Sequence, residues 1–169
     1  MKLNTKTVTT VAISVALAMV LSFVESLLPP LAMVPGVKLG LANVVTVFLL
    51  YTLGARYAAG VSLFRVLLSA LLFGSVQTLI FSLSGAVLSF AVMALAKRLL
   101  PFGAVGVSVL GGVAHNAGQI VAATFVMGTA KIAYYFIPLV ISGTLAGVLV
   151  GILGGITSAK LSPYLSKSQ

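Results

Sequence analysis

A chain of 169 residues with 60% apolar and only 7% charged side chains lacks the polar surface that water would demand on every side, since soluble domains carry about 25% charged residues. Ten Lys and Arg stand against a single acid, Glu25, for a formal charge of +9. The basic residues sit at the ends of long apolar runs and not in an aromatic-flanked stripe, which excludes a nucleic-acid partner and points to lipid headgroups and membrane topology.

A membrane-spanning helix needs roughly 20 apolar residues. The first run covers 8–28 and closes at Pro29-Pro30. No small-residue cleavage site follows and further spans do, so it reads as a retained helix and not as a signal peptide. A Pro- and Gly-containing segment leads into the second run, 38–53, whose apolar stretch from Leu41 is short for a span. Two readings fit: a helix that starts near Val37 and crosses at a tilt, or a partial helix sheltered beside a cavity. The remaining runs cover 57–73, 79–96, 105–127 and 134–156. The expected fold is an all-α membrane protein, a single six-transmembrane-helix bundle spanning 1–169.

The positive-inside rule orients such a bundle. With the N-terminus inside, Lys2, Lys6, Arg56, Lys97, Arg98, Lys160 and Lys167 fall on the cytoplasmic side, and only Lys38 and Lys131 fall outside. Both termini are therefore expected in the cytoplasm, in the plasma membrane of a prokaryote.

Helices in lipid associate where small residues let backbones approach. The sixth run carries Gly143, Gly147, Gly151 and Gly155, one every four residues, and the fifth carries Ala114, Gly118 and Ala122 at the same spacing. These ridges read as packing surfaces within the chain. The first run carries Ala12 and Ala16, an A-x-x-x-A pattern.

An ionisable side chain deep in a bilayer costs roughly 2.5–3.5 kcal/mol on insertion scales, so it faces a cavity or a partner. Arg65 lies near the middle of the third run. It either pairs internally, with Glu25 or helix-end carbonyls, or meets a ligand. Glu25 sits one turn before Pro29, as an interfacial charge or as a partner for Lys38, Arg65 or a ligand cation. His115 and Gln119 are four apart, and Asn116 and Gln119 three apart, so the three form one polar stripe in the fifth run. They serve interhelical hydrogen bonds or a ligand. Lys38 and Asn43 flank the start of the second run after the Pro35-Gly36 turn, where Lys38 is an interfacial anchor or part of an anion site. Gln77 is expected at the outer rim. Apolar surroundings with a few polar groups suit a small, partly apolar ligand.

Two segments, Val34-Pro-Gly-Val-Lys-Leu-Gly-Leu-Ala-Asn43 and Gly106-Val-Ser-Val-Leu-Gly-Gly-Val-Ala-His-Asn-Ala-Gly-Gln119, resemble the Gx transporter family, whose members are often labelled heptaprenyl diphosphate synthase component I. Phe81-Ser-Leu-Ser-Gly-Ala86 and Met93 fit the same pattern. That family is similar to the substrate-binding S subunits of energy-coupling-factor (ECF) transporters. The resemblance implies six helices, both termini inside, a pocket near the outer face, and a first-helix A-x-x-x-A motif, here Ala12 and Ala16, that docks on a transmembrane coupling subunit. It implies ATPase subunits as further partners, since this chain has no G-x-x-x-x-G-K-[ST] loop.

A prenyl synthase active site would need Asp-rich motifs to hold magnesium on diphosphate. The chain has no Asp and one Glu, so no enzyme, metal site or cofactor is expected. The expected function is a substrate-binding membrane subunit that imports a small anionic molecule of the vitamin, quinone-precursor or isoprenoid-precursor kind. Its substrate-binding set is Glu25, Lys38, Asn43, Arg65, Gln77, His115, Asn116 and Gln119. The alternatives are a membrane accessory subunit of a quinone-linked or prenyl-metabolism complex, without a catalytic site of its own, and a membrane-embedded enzyme, for which one Glu and one His give little acid–base equipment.

Overall fold

Helices that are apolar on nearly every side have no single face to hide from lipid, so they pair by close backbone approach and not along an amphipathic stripe. The structure, a computed structural model, describes residues 5–27 and 39–166. It contains α1 (Thr5–Leu27), α2 (Asn43–Thr52), α3 (Ala55–Phe73), α4 (Val76–Leu99), α5 (Ala104–Met127), a 3-10 turn (Ala130–Tyr135) and α6 (Phe136–Ser166), with no strand among the described residues. Five of these helices are long and apolar enough to cross a membrane. The chain is thus an all-helical protein built for repeated membrane crossing.

α5 is the centre of the bundle, with α4 on one side and α6 on the other. The small residues explain this. On α6, a methyl group added to Gly147 would stand 2.6 Å from Val109 Cα, and one added to Gly151 would stand 2.5 Å from Val105 Cα. The glycine ridge of α6 therefore lies directly on the backbone of α5, as its spacing leads one to expect. On the opposite side, Gly118 of α5 meets the backbone of Ser84 and Gly85 in α4. α1 is peripheral: it packs mainly on α3, and only Ser14 and Ala18 are buried along it.

The second run resolves as the partial helix. α2 has 10 residues, about 15 Å of helix against a hydrocarbon core of about 30 Å. Six consecutive residues, Val45 to Leu50, are buried, with Val47 and Leu49 at 0% exposure. Its neighbours α3 and α6 shield it, which is the condition for a short helix inside a membrane. Its last turn leaves carbonyls without helical partners. Lys97 of α4 donates to Leu50 O and lies 4.7 Å from the Tyr51 ring centroid, a cation placed at the negative end of α2. Gly54, at φ +96°, then reverses the chain into α3.

α6 is longer than its apolar run. It continues ten residues past Ile156, to Ser166. Thr157 and Ser158 return their hydroxyls to Leu153 O and Gly154 O, so the polar tail stays helical. Its 31 residues make about 46 Å of helix, so the last turns, with Lys160, reach beyond a hydrocarbon core.

Turns of two to four residues join α2 to α3, α3 to α4 and α4 to α5, so these neighbours run antiparallel. One end of the bundle gathers Lys6, Arg56, Lys97, Arg98 and Lys160 of the described basic residues, and the other holds Lys131. A test of the α5–α6 contact follows. Gly147→Ala and Gly151→Ala each lower thermal stability in detergent by about 1–3 kcal/mol through overpacking. Gly60→Ala, where an added methyl meets nothing within 4 Å, is neutral or stabilising. Equal behaviour of the three variants would contradict this packing.

Candidate functional site

A cavity of about 140 Å³ opens inside the bundle at the end opposite the basic cluster. Its walls come from the last turns of α1, the second half of α3, the start of α2, and long faces of α4 (Thr78 to Met93), α5 (Ser108 to Gln119) and α6 (Gly143 to Val150), so that it runs from that end into the middle of the bundle. Helical spacing explains how each wall is made. Ser22, Glu25 and Ser26 share one face of α1, and Arg65, Ser69 and Phe73 share one face of α3. Thr78, Ser82, Ser89 and Met93 do the same on α4, as do Ser108, Gly111, Gly112, His115, Asn116 and Gln119 on α5. Gly143 and Gly147 of α6 also border the cavity, where they lie against α5: a methyl group on Gly143 would sit 2.7 Å from Asn116 Nδ2 and 2.9 Å from Gly112 O.

Arg65 is the tie between three helices. Its guanidinium donates to Ser22 Oγ of α1 at 3.4 Å and to Asn43 Oδ1 of α2 at 3.3 Å. Both bonds are long for a charged donor, where about 2.7–2.9 Å is usual. Its Nε is buried and has no hydrogen-bond partner among the described residues. Glu25 lies within electrostatic reach of the guanidinium, yet its Oε1 accepts the backbone N–H of Gly40. That bond anchors the end of α1 to the turn that starts α2, where Gly40 has φ +71°.

The α5 stripe divides in function. Asn116 is buried and donates from Nδ2 to Leu139 O of α6, so it is an interhelical tie as well as a wall of the cavity. His115 and Gln119 face α4 across Gly85. A methyl group there would lie 2.9 Å from both His115 Cε1 and Gln119 Cγ, so the glycine creates the room that these side chains occupy.

Of the residues singled out from sequence, Glu25, Asn43, Arg65, His115, Asn116 and Gln119 line one cavity. Gln77 does not: it is exposed at the start of α4, and its neighbour Thr78, about 100° further round the helix and also exposed, borders the cavity instead. Lys38 lies outside the described residues. The serines of the walls were missed. Their signal is a seven-residue repeat, Ser82 to Ser89 on α4 and Ser108 to His115 on α5, which puts each pair on one face. Ala12 and Ala16 are exposed on the outer face of α1, away from the cavity.

This geometry defines a class, a multi-pass helical membrane protein with a polar cavity inside an apolar bundle. Residues 14–157 match the family model described as heptaprenyl diphosphate synthase component I, and the chain belongs to that family. No curated protein and no solved structure matches the chain. The family description names a synthase component, but the chain has no Asp from which a magnesium–diphosphate motif could be built. Among the described residues no cluster of three or more His, Cys, Asp or Glu could hold a metal ion.

An under-satisfied guanidinium carries a stability cost that its removal would relieve. Arg65→Met removes the unpaired Nε–H together with two long bonds, to Ser22 and Asn43, so the ligand-free protein is expected to stay within about 1 kcal/mol of wild type. A purely structural arginine would instead cost about 3–5 kcal/mol when its buried pair is broken. Unfolding of the two proteins in the same detergent separates the outcomes.

Proposed function

We propose that the chain is the substrate-binding membrane subunit of an ECF-type transporter, which captures a small, partly apolar anion from outside the cell and releases it inside after docking on partner subunits. The single observation that carries this reading is the cavity with Arg65 in its wall, set at the end of the bundle away from the basic residues. The positive-inside rule would turn the basic end to the cytoplasm and the cavity outward. In this orientation both termini lie in the cytoplasm and the membrane is a prokaryotic plasma membrane.

The polar groups supply recognition. Arg65 attracts an anionic group, with His115, Asn43 and Gln119 as hydrogen-bonding neighbours and Met93, Phe73 and Val150 as apolar wall. The cavity is smaller than the roughly 300–1,000 Å³ of drug-sized pockets, which favours a small molecule over a polyprenyl chain. The exposed face of α1, with Ala12 and Ala16 among larger apolar side chains, supplies a small-residue surface for a coupling subunit. The ATPase subunits would be separate chains.

The family description favours a second reading, an accessory membrane subunit of a prenyl-metabolism complex without a catalytic site of its own. Purification decides between them. A small molecule retained by the protein, identified by mass spectrometry and lost by at least tenfold in an Arg65→Ala, His115→Ala double variant, is expected from capture. Wild-type-like retention in that variant removes the pocket assignment. Association with a prenyl synthase subunit, and with no coupling subunit, favours the accessory role.

The docking face has its own test. Ala12→Leu with Ala16→Leu should abolish co-purification with a coupling subunit while leaving ligand retention within about twofold, since neither residue touches the cavity. Loss of both together would place α1's outer face in binding and not in docking.

A further inference from the structure

The cavity carries a charge pattern that narrows its ligand further, on the assumption that the capture reading is right. Three observations bear on it. First, the described lining holds one guanidinium, Arg65, and one carboxylate, Glu25; its other polar groups are hydroxyls, amides and the His115 imidazole. Second, the guanidinium is short of acceptors. A guanidinium has five N–H donors, and here two make long bonds to Ser22 and Asn43 while the buried Nε–H makes none. Third, the one carboxylate that could close a fork on Arg65 is held by the N–H of Gly40.

We infer that the cavity takes a monoanionic carboxylate, bound side-on to the guanidinium of Arg65, and that Glu25 beside it rejects phosphate and diphosphate esters. A carboxylate is planar and presents two oxygens at the spacing of two guanidinium N–H groups. It would give the Nε–H an acceptor and bring only one negative charge, so that with Glu25 two negative charges face Arg65, the fewest that an anionic guest can leave. A phosphate monoester brings about 1.5 to 2 negative charges, and a diphosphate more. With Glu25 already present, the surplus charge would meet a like charge in surroundings too apolar to screen it. The acid is thus a selectivity element as well as the anchor of Gly40. Prenyl diphosphates, which the family description brings to mind, are the ligands this arrangement disfavours most.

Nitrogen-15 labelling of arginine gives a direct readout, because the chain has only three arginines, Arg56, Arg65 and Arg98. The full chain in lipid nanodiscs would be titrated with benzoate, benzamide, phenyl phosphate and dimethylallyl diphosphate, with the Arg65 Nε–H signal assigned by Arg65→Lys. Benzoate is expected to shift that signal saturably. Benzamide should leave it in place, and the two phosphates should need at least tenfold higher concentration. Glu25→Gln, whose amide oxygen can still accept from Gly40, should improve phenyl phosphate binding at least tenfold and benzoate binding less.

The inference is overturned if either phosphate moves the Arg65 signal at or below the benzoate concentration. It is also overturned if benzamide matches benzoate, or if millimolar benzoate leaves the signal unmoved. Capture is read separately, from the molecule retained on purification. A retained neutral molecule or diphosphate sinks the carboxylate assignment and leaves capture standing. A saturable benzoate response in a protein that retains nothing and binds no coupling subunit supports the carboxylate site and counts against transport.

Discussion

The placement of one arginine inside an apolar helical bundle constrains the rest of this structure. A guanidinium there must be surrounded by oxygen atoms or by water, and helices in lipid offer few of either. The protein meets the demand only in part. Ser22 reaches in from α1 and Asn43 from α2, both at the long end of hydrogen-bonding distance, and the Nε–H is left over. To bring even these acceptors close, the last turns of α1 must run along α3, and α2 must begin beside the middle of α3. The cavity is the space that this incomplete solvation leaves, and the serine hydroxyls around it make that space tolerable to a polar guest.

The short α2 belongs to the same arrangement. If that helix began a full span earlier, it would occupy the volume where Glu25, Gly40 and Arg65 meet. Beginning at Asn43, it leaves residues 39–42 as a turn, with Asn43 N–H bonded to Gly40 O at 2.8 Å and Val44 N–H to Leu41 O at 3.1 Å. Non-helical backbone at membrane depth is tolerated where it is buried in protein or lines a cavity. At the other end α2 is held firmly, by its buried Val45–Leu50 core and by Lys97 at its C-terminal carbonyls. One end is fixed in the packed part of the bundle and the other is cut short to make the site.

Sequence reveals the two halves of this design unequally. The spans are legible because lipid requires long apolar runs, and the α6 glycine ridge is legible because close packing in lipid requires small residues at a fixed period. Arg65 and the His115–Gln119 stripe stand out because polar groups at that depth are costly. The wall serines do not stand out. A serine in an apolar helix can return its hydroxyl to its own backbone, as Ser84 does to Ile80 O and Ser158 to Gly154 O. Ser82 and Ser89 line the cavity from the same kind of sequence. Only the neighbouring helix distinguishes the cases. Gln77 stands exposed at the start of α4, where chain order puts it, and one residue of helical rotation places Thr78, and not Gln77, in the cavity lining.

Glu25 links the fold to selectivity more closely than its position near a helix end suggests. The N–H of Gly40 lies in a turn where no helical carbonyl accepts it, and leaving such a donor unpaired in apolar surroundings costs about 1–3 kcal/mol. A neutral acceptor such as glutamine or serine could satisfy the same N–H. A carboxylate does so and also places a full negative charge within reach of Arg65. Its charge lies in the same cavity as the guanidinium while the site is empty, which lowers the cost of keeping that cation away from water. The same charge then limits how much negative charge a guest can bring. A cavity that must be affordable when empty is in this way also made selective when filled, and both properties come from the only acidic side chain in the sequence.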